Sequence, residues 1–193
     1  MKLRILLGVA LLTLGLGTSA TAENYVIDHK GAHASINFKI QHLGYSWLLG
    51  RFNTFDGTFS YDEKNPSASK VQVTIDTTSV DSNHAERDKH LRSPDFLNVG
   101  AHPKSTFVSK SFKELGSGKA ELVGTFTLNG VTRDITIDVN HIGAGADPWG
   151  GYRRGFEGFT TLKLADYNIA KANILGAASQ ELELHLYLEG VRQ

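Results

Sequence analysis

The 193-residue chain has no cysteine. That excludes disulfides, thiolate metal centres, a cysteine nucleophile and a lipid-modified N-terminal cysteine. The fold must be held by packing and hydrogen bonds alone. Proline is scarce, with four residues against twenty glycines, a balance that suits antiparallel strands joined by tight turns. An excess of charge is also missing: twenty basic and twenty acidic side chains leave a formal charge of zero. Such a surface has no electrostatic grip on nucleic acid or an anionic membrane, so a neutral small molecule or a lipid is the partner class that remains. Catalytic signatures are lacking as well, with no G-x-S-x-G elbow, Walker A loop, H-E-x-x-H pair or EF-hand loop.

A long apolar run occurs once. Lys2 and Arg4 precede a stretch from Ile5 to Leu16 that is almost wholly apolar, and Ala20-Thr21-Ala22 follows. A basic start, a core too short to span a bilayer and small side chains at the cut describe a cleavable secretory signal peptide. Cleavage is expected after Ala22, leaving about 170 residues that begin at Glu23 and work in the periplasm as one domain without a permanent membrane anchor. The fingerprint G-x-G-x-x-A at Gly15 to Ala20 falls inside this segment, so it is no dinucleotide site.

Beyond Ala22, polar and apolar residues alternate with period two, the mark of strands with one wet face. Ala34 to Gln41 is the cleanest case, with apolar side chains at even positions. Val71 to Ile75 and Leu182 to Leu188 repeat the pattern. Leu122 to Ile142 reads as a hairpin about Asn129-Gly130, the pair that most readily takes the positive φ angles of a type I′ turn. Further strands are expected near Tyr25 to His29, Thr54 to Asp62, Ser105 to Phe112 and Phe156 to Ala165. Eight or nine antiparallel strands close into a barrel. Two stretches break the alternation. Asn83 to Arg92 opens like a helix cap and is stopped by Ser93-Pro94, and His42 to Phe52 carries apolar residues at helix-like spacing, so a short helix and a second helical turn are expected.

Eight histidines raise a metal site, but His29 and His33 straddle a turn, and His84 and His90 point apart on a helix, so none is assigned. No cofactor is implied. Asp81, Glu86, Asp88 and Asp95 read as the outer charges of a capped, solvated helix. Asp88 to Leu97 is longer than a barrel turn needs, and it either plugs the end of the core or forms a lid over a ligand.

These residues also resemble the YceI-like family of exported, lipocalin-like polyisoprenoid-binding proteins, over essentially all of the chain after Ala22. The resemblance rests on Tyr25-Val26-Ile27-Asp28 with His33 and Ile36; Gln41-His42-Leu43-Gly44 with Gly50 and Phe52; Phe55-Asp56-Gly57; Asp88 to Phe96; and Pro103 with Phe107. It continues in Gly124 to Thr132, Arg154-Gly155-Phe156 and Ala165 to Ile169. Leu97 and Ala165 depart from the residues usual in the family. The resemblance implies a lipocalin-like extended antiparallel β-barrel of about eight strands with one or two short helices, enclosing a long apolar channel for an isoprenoid tail, with a polar head group near one mouth. Strand parity nominates Ile36, Phe38, Ile40, Val73, Ile75, Phe126, Leu128, Ile135, Ile137, Leu184 and Leu186 as inward-facing wall. His42, Trp47, His90, Arg92 and Arg154 are the expected mouth residues, the arginines in case the head group carries phosphate. The expected function is a non-catalytic periplasmic carrier of an isoprenoid lipid, of quinone or polyprenyl phosphate type. An enzyme using His42, His90 or Asp88 as acid or base, and a structural barrel with a filled interior, stand as the alternatives. No oligomeric state is assigned.

Overall fold

The computed structural model describes residues 22–193. The expected signal segment, Met1 to Ala22, lies outside them except for Ala22 itself. The strands are β1 (Glu23–Ile27), β2 (Ser35–His42), β3 (Ser46–Phe52), β4 (Phe55–Tyr61), β5 (Lys70–Asp76), β6 (Val80–Asp81), β7 (Lys104–Gly116), β8 (Lys119–Leu128), β9 (Val131–Ala146), β10 (Tyr152–Lys163) and β11 (Glu181–Arg192). One α-helix, α1 (Ala85–Arg92), stands between β6 and β7.

All pairings are antiparallel, and the short strands join end to end. β1 and β2 both lie along one edge of β11, with Ile27 opposite Gly190 and Ser35 opposite Tyr187. β4 flanks β1 while β3 flanks β2, and β5 and β6 follow in the same way. The result is an eight-strand closed barrel, a meander sealed where β11 meets β1 and β2. Closure satisfies the backbone groups that an open sheet edge would leave unpaired.

Strand direction sorts the connections. The β2–β3 turn, the α1 segment, the Asn129-Gly130 turn and residues 164–180 gather at one end, called the upper end. The termini, residues 62–69, the β7–β8 turn and residues 147–151 gather at the lower end. Asn129 and Gly130 have φ of 48° and 73°, as the hairpin turn requires. α1 is capped by His84, whose Nδ1 accepts from the Arg87 backbone N–H at 3.2 Å, and it ends at Ser93.

Two expectations are corrected. His42 to Phe52 contains no helical turn: it is the β2–β3 hairpin, with Trp47 paired to Gln41 and Leu48 to Ile40. Consecutive Trp47, Leu48 and Leu49 hide the alternation, because apolar side chains stand on both faces. Asp88 is not on a solvated face either. It is 8% exposed, and its carboxylate accepts from the Ser82 backbone N–H at 2.8 Å and from the Ser82 hydroxyl. The charge ties α1 down onto β6.

Candidate functional site

The barrel interior holds two apolar cavities in line. The upper one has a volume of about 310 Å³ and the lower about 110 Å³. Ile36, Ile75, Phe126 and Leu184 border both, and the level they occupy between the two lobes is called the throat. Phe38, Ile40 and Leu128 line the upper lobe alone, and Val73, Ile135, Ile137 and Leu186 the lower alone. All eleven residues nominated by parity therefore face one lobe or the other. Parity works within each of these uninterrupted strand segments because successive side chains point to opposite faces.

The upper lobe is walled mostly by aliphatic side chains, and its polar residues include Gln41, His42, Arg87 and His90. β2 ends at His42, and α1 presents Arg87, His90 and Leu91 on the face that covers the barrel. Phe96 and Leu97 line the lobe as well, so the Asp88 to Leu97 stretch both caps the barrel and walls a cavity. Arg87 is anchored through its Nε–H to the Ser82 hydroxyl at 2.7 Å. His90 Nε2 lies 3.3 Å from an Asp95 carboxylate oxygen, and its ring meets Phe96 edge to face. Residues 164–180 close the remaining side. The Ser179 hydroxyl donates to the Gln41 carbonyl at 2.7 Å and accepts from the Leu43 N–H at 3.3 Å, clipping this segment to the β2–β3 hairpin.

Of the five expected mouth residues, only His42 and His90 come together here. Trp47 points outward, 51% exposed, with Lys39 Nζ 3.8 Å above its ring. It is an odd-numbered neighbour of inward Leu48 and so occupies the wet face. Arg92 donates to the Val80 carbonyl at 3.1 Å and holds the α1 segment to the barrel without lining the lobe. Arg154 lies at the opposite, lower end and is 2% exposed.

At that lower end Arg154 forms a floor. Its Nε–H donates to the Tyr25 hydroxyl at 3.2 Å, one Nη donates to His141 Nε2 at 3.3 Å, and the other pairs with the Glu63 carboxylate. The guanidinium carbon sits 4.5 Å from the centre of the Tyr61 ring, a cation over an aromatic face. Burial, helped by a hydrogen bond to Glu114, pushes the Tyr61 hydroxyl up to about 12. Burial and the Arg154 charge hold His141 below its ordinary value, so the imidazole stays neutral and accepts from the arginine.

Outside the barrel, Asp28, His33 and Glu189 bring three possible ligand atoms within 4.8 Å of one another. Arg153 already serves as their cation, at 2.7 Å from Asp28, and it also bonds Asp147 and Glu189. A bond to His33, with Arg153 second, lowers Asp28 to about 2. His29 packs on Phe55 instead.

Sequence reasoning missed Arg87 and Gln41 at the upper lobe and the aromatic residues Phe59, Tyr61, Phe107, Phe112 and Phe156 at the lower. The parity of the Thr54 to Asp62 and Ser105 to Phe112 strands carried the signal for Phe59, Tyr61 and Phe107.

A family model described as the YceI-like domain matches residues 25–190. The chain belongs to the YceI-like family. A UPF0312 protein of Ectopseudomonas mendocina is 58% identical over 188 residues, 96% of this chain and 97% of that protein. One from Pseudomonas aeruginosa is 60% identical over 187 residues, covering 97% and 95%. Among solved structures, BcnA of Burkholderia cenocepacia superposes with a TM-score of 0.75 at 20% identity, over 84% of this chain and 98% of that one. The YceI protein of Campylobacter jejuni gives 0.71 at 28% identity, over 80% and 91%. A polyisoprenoid binding domain from Saccharophagus degradans gives 0.62 at 16% identity, over 88% and 98%. The expected lipocalin-like barrel is the fold this YceI-like chain adopts.

Proposed function

We propose that the protein is a non-catalytic carrier for an isoprenoid lipid, held with its chain along the two-lobed channel, and that it works in the periplasm after removal of Met1 to Ala22. The observation that carries this reading is the barrel interior: two apolar cavities in line inside a closed barrel, with Ile36, Ile75, Phe126 and Leu184 bordering both. A slender chain buried there gains roughly 25 cal/mol for each square ångström of apolar surface taken from water, before ordering costs. The Saccharophagus degradans domain, a polyisoprenoid binding domain with the same fold, points to the same ligand class.

The upper mouth is the entry in this reading, since the lower end is blocked by the Arg154 floor. A charged head group, as in a polyprenyl phosphate, stays there in water near His42, Arg87 and His90, because burying it along the apolar wall is too costly. An acid–base role gains little support. Asp88 is committed to Ser82, and His90 is paired to Asp95 away from any free carboxylate on the lobe.

Mass spectrometry of organic extracts from protein purified out of its native host tests the proposal. An isoprenoid lipid at near-stoichiometric yield, on a chain whose intact mass begins at Glu23, is the expected result. Extracts without isoprenoid, together with failure of the purified protein to take up added geranylgeraniol, would overturn it.

A further inference from the structure

Two neighbouring segments at the upper mouth carry apolar side chains on both of their faces. In the β2–β3 hairpin, Gln41, His42 and Leu48 line the upper lobe, while Leu43, Tyr45, Trp47 and Leu49 turn to solvent, Tyr45 being 86% exposed. Residues 171–180 repeat the arrangement: Leu175 and Ser179 line the lobe, and Ile174 beside them is 75% exposed. The bond from the Leu43 N–H to Ser179 joins the two segments into one rim. At the hairpin tip Leu43 and Gly44 have φ of 53° and 79°, and the Tyr45 N–H donates to the His42 carbonyl at 2.9 Å. The left-handed position suits glycine or asparagine and is unfavourable to leucine. In the bare barrel Leu43 gains neither backbone ease nor burial, and an apolar surface covering the tip supplies the burial. Charge on the rim is one-sided. Residues 39–55 and 167–180 contain no aspartate or glutamate, against twenty in the whole chain, while Lys39, Arg51 and Lys171 stand on them. Lys39 is level with Leu49, behind the tip, and holds its Nζ 3.8 Å over the Trp47 ring. Its pair with Glu183 at 3.2 Å, and that of Lys171 with Asp95 at 3.5 Å, are part-exposed, so a phosphate can replace either carboxylate at little cost. The lower end exposes Leu115, Ile142 and Trp149 too, but Glu114 and Asp147 stand close by in the chain and repel phosphate.

We propose that this rim docks the barrel on the surface of a lipid bilayer, with Leu43, Tyr45, Trp47 and Ile174 entering the headgroup boundary and Lys39 and Lys171 meeting lipid phosphates behind them. This rests on the carrier reading above and deepens it by naming the surface at which the upper mouth is loaded. Tyrosine and tryptophan favour that boundary because each ring has an apolar body and a polar handle. Apolar side chains of a segment lying in it reach about 5–10 Å deep, the scale of a hairpin tip. Because the same two segments line the upper lobe, docking sets the mouth against the bilayer, and an isoprenoid crosses with less of its chain in water. The formal charge of zero gives the whole molecule no long-range pull toward the membrane. Attraction is confined to the rim, so docking is shallow and reversible, as repeated loading and departure require.

The test uses the exported chain from Glu23 onward, without ligand, and vesicles of phosphatidylethanolamine with phosphatidylglycerol or of phosphatidylcholine alone. The chain has two tryptophans, Trp47 on the rim and Trp149 at the far end, so Trp149→Phe and Trp47→Phe leave one reporter each. Lipids brominated in their tails should quench Trp47 and leave Trp149 unchanged. Leu43→Asn combined with Tyr45→Ser should lower the vesicle partition coefficient about tenfold. Its unfolding midpoint should be unchanged or raised, since the side chains removed are exposed and the left-handed leucine is relieved. Lys171→Gln should weaken binding to the phosphatidylglycerol vesicles about fivefold and leave phosphatidylcholine nearly unaffected. No partitioning by the wild type, quenching of Trp149 as strong as that of Trp47, or undiminished partitioning by the double variant would overturn the docking surface. Sedimentation of the chain alone checks the other occupant: a dimer that the double variant dissolves would assign the rim to a second copy and refute the proposal. Geranylgeraniol uptake from vesicle-free solution is measured alongside. Uptake retained without docking confines the failure to the rim, whereas no uptake by the wild type overturns the carrier reading and leaves vesicle binding to decide the rim.

Discussion

Asp88 and Asp28 are both carboxylates whose role depends on which way a side chain points. Asp88 sits in an eight-residue helix with no apolar stripe to declare its inner face, so its burial was not legible in the sequence. Only the seating of α1 on β6 turns it inward, where it accepts two hydrogen bonds from Ser82. Asp88→Ala should therefore lower the unfolding free energy by about 2 kcal/mol, while Glu86→Ala on the exposed side stays within about 0.5 kcal/mol. Urea titration of the two variants separates them. Asp28 acts through its ionisation. Its value in the fold, about 2, lies below the ordinary 3.8 because of His33 and Arg153. A depressed carboxylate stabilises the fold above its unfolded value and loses that contribution as pH falls through its folded one. Stability should drop between about pH 4 and pH 2, and Asp28→Asn should flatten this part of the profile. A profile of equal slope in both proteins would refute the role given to Asp28.

At the scale of elements, the strands were legible wherever one face is wet. The β8–β9 hairpin was readable from Asn129-Gly130 and the flanking alternation, because turn chemistry and period agree. The first three staves were harder. Each is interrupted at the same level of the barrel, between Ile27 and Ser35, between Phe52 and Phe55, and between Asp76 and Val80. Parity flips across each break: β1 buries Tyr25 and Ile27 but β2 buries Ile36 and Phe38, and β5 buries Val73 and Ile75 but β6 buries Val80. A count carried along the chain therefore loses its face, and the apolar run in β3 completes the disguise. Gly50 in β3 has a spatial role that only the pairing reveals. It lies opposite Phe38, whose ring occupies the space a Cβ there would need. Gly50→Ala should cost about 1–3 kcal/mol by forcing that ring out of place, against a negligible change for Gly100→Ala, where nothing lies within 4 Å of a new Cβ. Thermal unfolding of both variants checks this, and equal midpoints would mean that the ring yields freely.

For the whole molecule, the two ends of the barrel are bounded by different chemistry. The upper cap is built from α1 and residues 164–180, joined to the barrel by separate hydrogen bonds, among them those of Arg92 to Val80, Asn129 to Tyr167 and Ser179 to Gln41 and Leu43. Below, a buried arginine is bonded on three sides. Parity could point Arg154 into the barrel, but it could not say at which end, since that depends on strand direction through the whole meander. This asymmetry makes the throat decisive for chain length. Ile36 borders both lobes, and Ile36→Trp adds volume where the channel narrows, in a cavity able to accept what a packed core would reject. A geraniol-length ligand fits within the upper lobe and should keep its affinity within about twofold, since it makes no demand on the throat and the lobe's other contacts are unchanged. Geranylgeraniol must pass the throat and should bind roughly tenfold or more weakly, the loss of about 1.4 kcal/mol or more of lower-lobe burial. Titration of both alcohols against wild type and variant, with unfolding midpoints alongside, gives the answer. An equal loss for both ligands, or collapse of the fold, would mean that the two lobes are not one path and that the interior behaves as a packed core.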